Sequence, residues 1–383
     1  MTTATNVLKW TRVFAVAMPV CALLILVYST WVSSSVQNRL PAKPLVMSTS
    51  TRNTQQRCQD CHSDITDNYH TAPHARTLTR ADTPSNVSDF DNKTFHNNAA
   101  NTDIHLKVTN GHLNITTQGY TRPVSATWIF GSGTHAKTPL ITWLNEDGKT
   151  SGIEHIVSWY ADGELGVTLG MDEHLDSEGI GCLGGPRTAA ETINCFGCHS
   201  SYVPVENGRL VLDKLEPNIG CSRCHLNTRQ HVENMDAGHA STMERFSELT
   251  PTESIDRCGE CHRRAEELGG EILPEDTMIT RFASVGLTQS KCFVNQAKVM
   301  VGPDTVARLD CTNCHNPHRP TSRNWQDHTA QCLKCHDAEH DRAVDCPTAK
   351  RNSNCLECHM PSVPANKHLS FTDHWIRVRP ATK

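Results

Sequence analysis

Apolar and polar residues alternate with a period of two through residues 100–170. Ile104, Leu106 and Val108 share one phase, Asn110-Gly111 turns the chain, and Leu113 and Ile115 alternate back. A period of two places successive side chains on opposite faces of a strand. Asn-Gly between two such runs is the strongest short hairpin signal, because a type I′ turn needs positive φ at both central positions. A second hairpin is expected about Asp147-Gly148, with Ile141 and Leu144 before it and Ile153 to Trp159 after it. From Cys182 onward the strand signal fades, apart from a short hairpin about Asn207-Gly208. The remainder reads as short helical pieces between Pro, Gly and Asn. The pattern predicts a mostly α, loop-rich chain with a small antiparallel β insertion near residues 100–170.

A different pattern marks the N-terminus. Val13 to Val32 is one uncharged, mostly apolar stretch preceded by Lys9 and Arg12. At 1.5 Å rise per residue it is just long enough to cross a hydrocarbon layer of about 30 Å. Cleavage as a signal peptide at Ser33, Ser34 and Ser35 is the competing reading, but the run exceeds the usual signal core of about 7–15 residues. The expected organisation is a cytoplasmic N-terminus over 1–12, a transmembrane signal-anchor helix over 13–32 and a Ser/Thr/Gln/Asn-rich linker over 33–56. A first Cys pair plus the β-rich region follows over 57–181, and a region with six further pairs over 182–383. The bulk of the chain is then expected on the exported, periplasmic side of an inner membrane.

Composition narrows the chemistry. The 383 residues are 37% hydrophobic and 20% charged, with Lys+Arg 36 against Asp+Glu 41. That excludes a disordered polyelectrolyte, a polytopic membrane protein and a basic nucleic-acid binder. The unusual figures are 18 Cys and 22 His. They point to metal centres.

Every C-x-x-C in the chain is followed at once by His. In chain order the seven motifs are Cys58-Cys61-His62, Cys195-Cys198-His199, Cys221-Cys224-His225, Cys258-Cys261-His262, Cys311-Cys314-His315, Cys332-Cys335-His336 and Cys355-Cys358-His359. C-x-x-C-H is the attachment signature of c-type haem. On one helical turn positions i, i+3 and i+4 share a face, so two thiols reach one porphyrin edge while the His turns beneath it toward iron. Zinc sites also pair C-x-x-C units but need no His after each. Seven coincidences in seven would arise by chance roughly once in 10⁸ to 10⁹. The expected cofactors are seven covalently bound haem c groups, with His62, His199, His225, His262, His315, His336 and His359 as proximal iron ligands. The fold class becomes that of a multihaem cytochrome c. Six motifs lie in the 189 residues from Cys195 onward, about 31 residues each, too few to insulate the groups from one another.

Fifteen further His remain for the opposite side of each iron. His74, His135, His231, His318 and His374 are the best-placed candidates, with His239 and His340 weaker ones. His105 and His112 share the solvent phase of the first hairpin with Lys107 and Asn114 and read as surface residues. His70, His96, His155, His174, His328 and His368 carry no assignment. The chain holds 23 Arg against 13 Lys, and Arg suits bidentate carboxylate recognition, so part of the excess is expected to pair haem propionates. Cys182, Cys292 and Cys346 lie outside the motifs, and a disulfide between two of them suits an exported protein.

At these residues the chain resembles the multihaem c-type cytochromes with doubled C-x-x-C-H segments. That group looks related to the superfamily of pentahaem nitrite reductase and hydroxylamine oxidoreductase. The stretches that carry the likeness include Pro-His-Ala-Arg at 73–76, Gly-Ser-Gly-Thr-His-Ala at 131–136 and Ile-Gly-Cys-Ser-Arg-Cys-His at 219–225. Ser-Lys-Cys-Phe at 290–293, Cys-Thr-Asn-Cys-His-Asn-Pro-His at 311–318 and Cys-His-Met-Pro with Phe-Thr-Asp-His-Trp within 358–375 complete them. The resemblance implies closely stacked, mainly bis-His haems, and implies His318 and His374 as distal ligands. The chain lacks the C-x-x-C-K motif of the nitrite reductase, and its only tyrosines beyond the anchor are Tyr69, Tyr120, Tyr160 and Tyr202. The expected function is electron transfer from a membrane quinol-oxidising donor to a periplasmic acceptor. The alternative is a multihaem oxidoreductase acting on a small nitrogen or sulfur compound (nitrite, hydroxylamine, tetrathionate) at one open haem.

Overall fold

The structure, a computed structural model, describes residues 52–98, 100–171, 179–302, 304–336 and 353–379. The stretches 1–12 and 13–32, most of the linker, His174, His340 and Cys346 lie outside these residues. Residues 266–271 fall outside the main unit, which spans 44–265 and 272–383. The sheets and the motif-bearing helices all belong to that main unit.

Two antiparallel sheets occupy the first half. One is a meander of β2 (Lys93–Asn97), β3 (Thr102–Thr109), β4 (His112–Thr117) and β5 (Tyr120–Ser125). The other runs β1 (Leu78–Arg80), β6 (Trp128–Phe130), β7 (Ala136–Leu144), β8 (Thr150–His155) and β11 (Gly184–Arg187), with β9 (Val157–Tyr160) on β7 and β10 (Leu165–Val167) on β9. The hairpin at Asn110-Gly111 joins β3 to β4, and both turn residues have positive φ, 53° and 82°. Those at Gly148 and Asn207-Gly208 are also present. Ile104, Leu106, Leu113 and Ile115 meet Ile129, Ile153, Ile156 and Val157 in one fully buried core. His105 and His112 are exposed on the other face of the meander.

The expectation of a mostly α fold is corrected. The structure holds 36% helix with 26% strand and several antiparallel sheets. Its β region begins at Leu78 and ends at Arg187, well beyond 100–170. Short ribbons continue past it, at Ser200–Tyr202 with Glu216–Pro217, Met300–Gly302 with Thr305–Val306, and Ser362–Pro364 with Ser370–Thr372. The physical reason is length. β1 and β11 have three and four residues, too few to show a period, and they exist because β6 and β8 offer open edges to them. The expected membrane helix cannot be placed on this fold: among the described residues no helix is long and apolar enough to cross a membrane. The longest described, Pro251–His262, has 12 residues. No disulfide joins Cys182 to Cys292; Cys182 is packed in the core with Ile156 and Leu183.

The helices that carry the motifs are short but well started. Thr188 and Glu191 form a capping box ahead of Ala189–His199, and Thr250 and Glu253 form one ahead of Pro251–His262, with Pro251 in the first turn. Asp310 and Asn313 do the same for Cys311–Cys314. Each box satisfies donors that a helix start leaves without partners. Phe196, inside the second motif, is fully buried, and its ring meets Trp128 at 5.5 Å and Phe130 at 5.3 Å, both edge-on. That contact seats the second motif on the sheet.

Candidate functional site

Each motif is built as one helical turn. The amide N–H of His62, His225, His315 and His336 bonds to the carbonyl of the first cysteine of its motif at 2.8–2.9 Å, and His199, His262 and His359 close their helices. Both cysteines and the histidine therefore share one face, as the spacing predicts.

What the sequence spacing does not contain is which imidazole stands opposite which. His62 faces His231 with ring centres 6.4 Å apart, His225 faces His318 at 5.9 Å, His262 faces His74 at 6.0 Å and His315 faces His374 at 6.1 Å. Every His–His ring pair among the described residues contains a motif histidine. Two imidazoles on opposite sides of one metal have ring centres about 6 Å apart, from a metal–nitrogen bond of about 2.0–2.1 Å and roughly 1.1 Å more to each ring centre. The observed separations match that. Among the described residues no group of three or more His, Cys, Asp or Glu converges on one point. Each pair offers two imidazole nitrogens beside the two thiols of a motif, a donor set that would suit haem iron.

Hydrogen bonds aim these rings. His199 donates Nδ1–H to Thr77 O at 3.0 Å, His359 to Arg377 O at 3.0 Å and His374 to Thr372 O at 2.9 Å. A carbonyl can only accept, so Nδ1 carries the proton and Nε2 keeps its lone pair for a metal. Burial pushes His262 and His315 down to about 4 and lowers His74, His199, His225, His318 and His374 as well. These imidazoles are neutral at pH 7, the form that ligates.

The thiols of different motifs touch. Cys58 lies beside Cys221, Cys198 beside Cys261, and Cys258 beside Cys311. Within each pair one thiol holds its proton and the other is pushed down, Cys221 and Cys198 to about 7. Cys314 and Cys332 act on each other electrostatically, and so do Cys332 and Cys355. The motifs thus adjoin in the order 1, 3, 4, 5, 6, 7, with motif 2 against motif 4. At that crossing Arg223 of motif 3 is buried against Glu260 of motif 4 at 2.7 Å, with Arg257 and Arg264 on the other carboxylate oxygen at 3.9 and 3.7 Å.

Not every candidate is brought to a motif. His135 lies with its ring 6.3 Å from Phe371, and His239 is exposed beyond the helix Thr228–Asp236. His340 lies outside the described residues. His328, which carried no assignment, has its ring 6.2 Å from that of His315. A signal for it existed, since it stands four residues before Cys332 and so on the same helix face. His199 meets the Phe130 ring at 4.9 Å. Away from the motifs, a cavity of about 650 Å³ is lined by Lys93, His96, Glu164, Lys367 and His368.

Comparisons with protein-family models, curated proteins and solved structures returned no match, so the resemblance stands on its own motifs and the site on its geometry.

Proposed function

We propose that the chain is a heptahaem c-type electron carrier that passes electrons between a quinol-oxidising donor at the membrane and an exported acceptor. The stretch 13–32 is taken to direct it to the inner membrane, with the motif region on the periplasmic side. The observation that carries this reading is that four motif histidines, His62, His225, His262 and His315, each have an imidazole from outside the motifs at 5.9–6.4 Å, His315 having two, His328 and His374.

Fourteen cysteines would hold the haems: Cys58, Cys61, Cys195, Cys198, Cys221, Cys224, Cys258, Cys261, Cys311, Cys314, Cys332, Cys335, Cys355 and Cys358. Haem iron, when bound, supplies one-electron exchange between its ferric and ferrous states. The protein's part is to position and to insulate. His74, His231, His318 and His374 would each help to hold one iron beside a motif histidine, which would exclude substrate there and favours transfer over catalysis. The packing that sets Cys58 by Cys221, Cys198 by Cys261 and Cys258 by Cys311 would place successive attachment points side by side, and motif 4, beside motifs 2, 3 and 5, is the natural junction.

The second reading is an oxidoreductase for a small nitrogen or sulfur compound at motif 2. What favours it there is the His199 ring, which stands against the Phe130 ring at 4.9 Å. Glu154 and Arg187, paired at 2.6 Å, flank the same motif. Spin-state counting by EPR together with a reduced-plus-CO difference spectrum tests both. Low-spin iron at motifs 1, 3, 4 and 5, with negligible CO binding there, is expected for the carrier. One high-spin iron with turnover on nitrite, hydroxylamine or tetrathionate would replace it with the enzyme. A matured protein with no covalently retained haem would end both.

A further inference from the structure

Near the end of the described chain two guanidinium groups converge on one carboxylate. The side chain of Asp373 is only 5% exposed; Arg377 Nη2 lies 3.3 Å from its Oδ2, and Arg379 bonds the same oxygen. Its other oxygen accepts the Trp375 amide at 2.8 Å. Arg377 is fixed further by Pro274 O at 2.9 Å and by the Trp375 ring, 4.5 Å below its guanidinium. The cluster therefore sets two positive charges against the buried Asp373, which is fully used, with the exposed Glu275 acting on Arg377 from further off.

Two N–H groups of this cluster, Arg377 Nη1 and Arg379 Nε, are buried with no hydrogen-bond partner among the described residues. A buried donor on a charged group is costly to leave unpaired. Two such donors on charged groups suit a further carboxylate. Position says where that carboxylate comes from. The cluster begins beside His374, which faces His315 of motif 5 at 6.1 Å. The carbonyl of Arg377 holds Nδ1 of His359 in motif 7. The segment thus serves the iron sites of two motifs at once.

We propose that Arg377 and Arg379 form a carboxylate clamp for a propionate of one of the two haems served by this segment, and that the clamp raises that haem's reduction potential. The inference rests on the haem reading and deepens it. Reduction adds an electron, so fixed positive charge at the propionate favours the reduced state. Both guanidiniums are held rigidly, so the effect is built into the fold.

The test is spectropotentiometric titration of the full, haem-loaded protein as wild type, Arg377→Gln and Arg379→Gln. One midpoint of the seven should move to lower potential in both variants while the others stay in place. Seven unchanged midpoints in variants that retain seven covalent haems would overturn the clamp and leave the haem reading intact. Absence of covalent haem in the wild type would overturn both. Should the variants fail to fold, redox-difference infrared spectra of wild type with ¹³C-labelled propionates decide the matter. A labelled carboxylate band that shifts on reduction supports the clamp; labelled bands that all match water-exposed carboxylate refute it. A titration in added acetate separates the source: no dependence is expected, and a midpoint that moves with acetate would assign the fork to a free carboxylate.

Discussion

His74 and His262 face each other with ring centres 6.0 Å apart and ring planes crossed at 84°. The pair at His225 and His318 has nearly the same separation, 5.9 Å, but its planes differ by only 7°. The mutual orientation of two axial imidazoles sets how far the iron d orbitals are split. Near-parallel rings give a rhombic low-spin spectrum, and near-perpendicular rings give a strongly anisotropic one. On the proposed haem reading, low-temperature EPR of the oxidised protein should therefore show both classes, with His62/His231, crossed at 21°, in the rhombic class. His74→Ala should remove one strongly anisotropic signal and add about one equivalent of CO binding. Loss of a rhombic signal instead would contradict the pairing.

The ion pair between Arg223 and Glu260 stands where motifs 2, 3 and 4 meet, with side chains 7% and 15% exposed. Breaking a buried pair by removing one partner typically costs about 3–5 kcal/mol, because the other charge is left without compensation. Glu260→Gln is expected to lower stability by about that amount in chemical denaturation. A double replacement of Arg223 and Glu260 by apolar residues should cost less than the single change. Additive losses would show that the two side chains do not interact.

His155 is fully buried in the sheet and held at about 4 by burial, with Val157 N–H donating to its Nδ1 at 3.1 Å. Its folded value lies below the ordinary 6.5, so between about pH 6.5 and 4 the unfolded chain binds the proton and the folded one does not. The sign follows: stability is full above about pH 6.5 and falls as pH drops toward 4. The loss should be of the order of 3 kcal/mol from this one residue. His155→Gln keeps an acceptor and should flatten that part of the stability–pH curve. An unchanged slope would assign the acid sensitivity elsewhere.

Phe196 ties the second motif to the sheet through Trp128 and Phe130. Replacing a fully buried Phe by Ala generally costs about 3–5 kcal/mol. Phe196→Ala should lower the midpoint of thermal unfolding and, on the proposed haem reading, perturb the spectrum of the group at motif 2. A loss below about 1 kcal/mol would mean that the surroundings close over the gap.

Local features were legible in the chain. The hairpin at Asn110-Gly111 was, because only a few residues accept positive φ at two successive positions. The motif turns were, because thiol spacing and helical pitch are both local. The proportion of strand was not. β1 and β11 depend on partners near residues 129 and 153, and three- or four-residue strands leave no periodic trace. The same limit applied to the imidazoles: His328 and His374 both reach His315, yet one is close in sequence and the other is 59 positions away.

The sequence by itself determined what the motifs are: seven turns that each set two thiols and an imidazole on one face, a consequence of helix geometry over five residues. Only the tertiary structure decided which imidazole stands across from which, which thiols adjoin, and where paired arginines are left with open donors. Those relations join residues tens to hundreds of positions apart, and packing of the whole chain sets such distances while residue order does not.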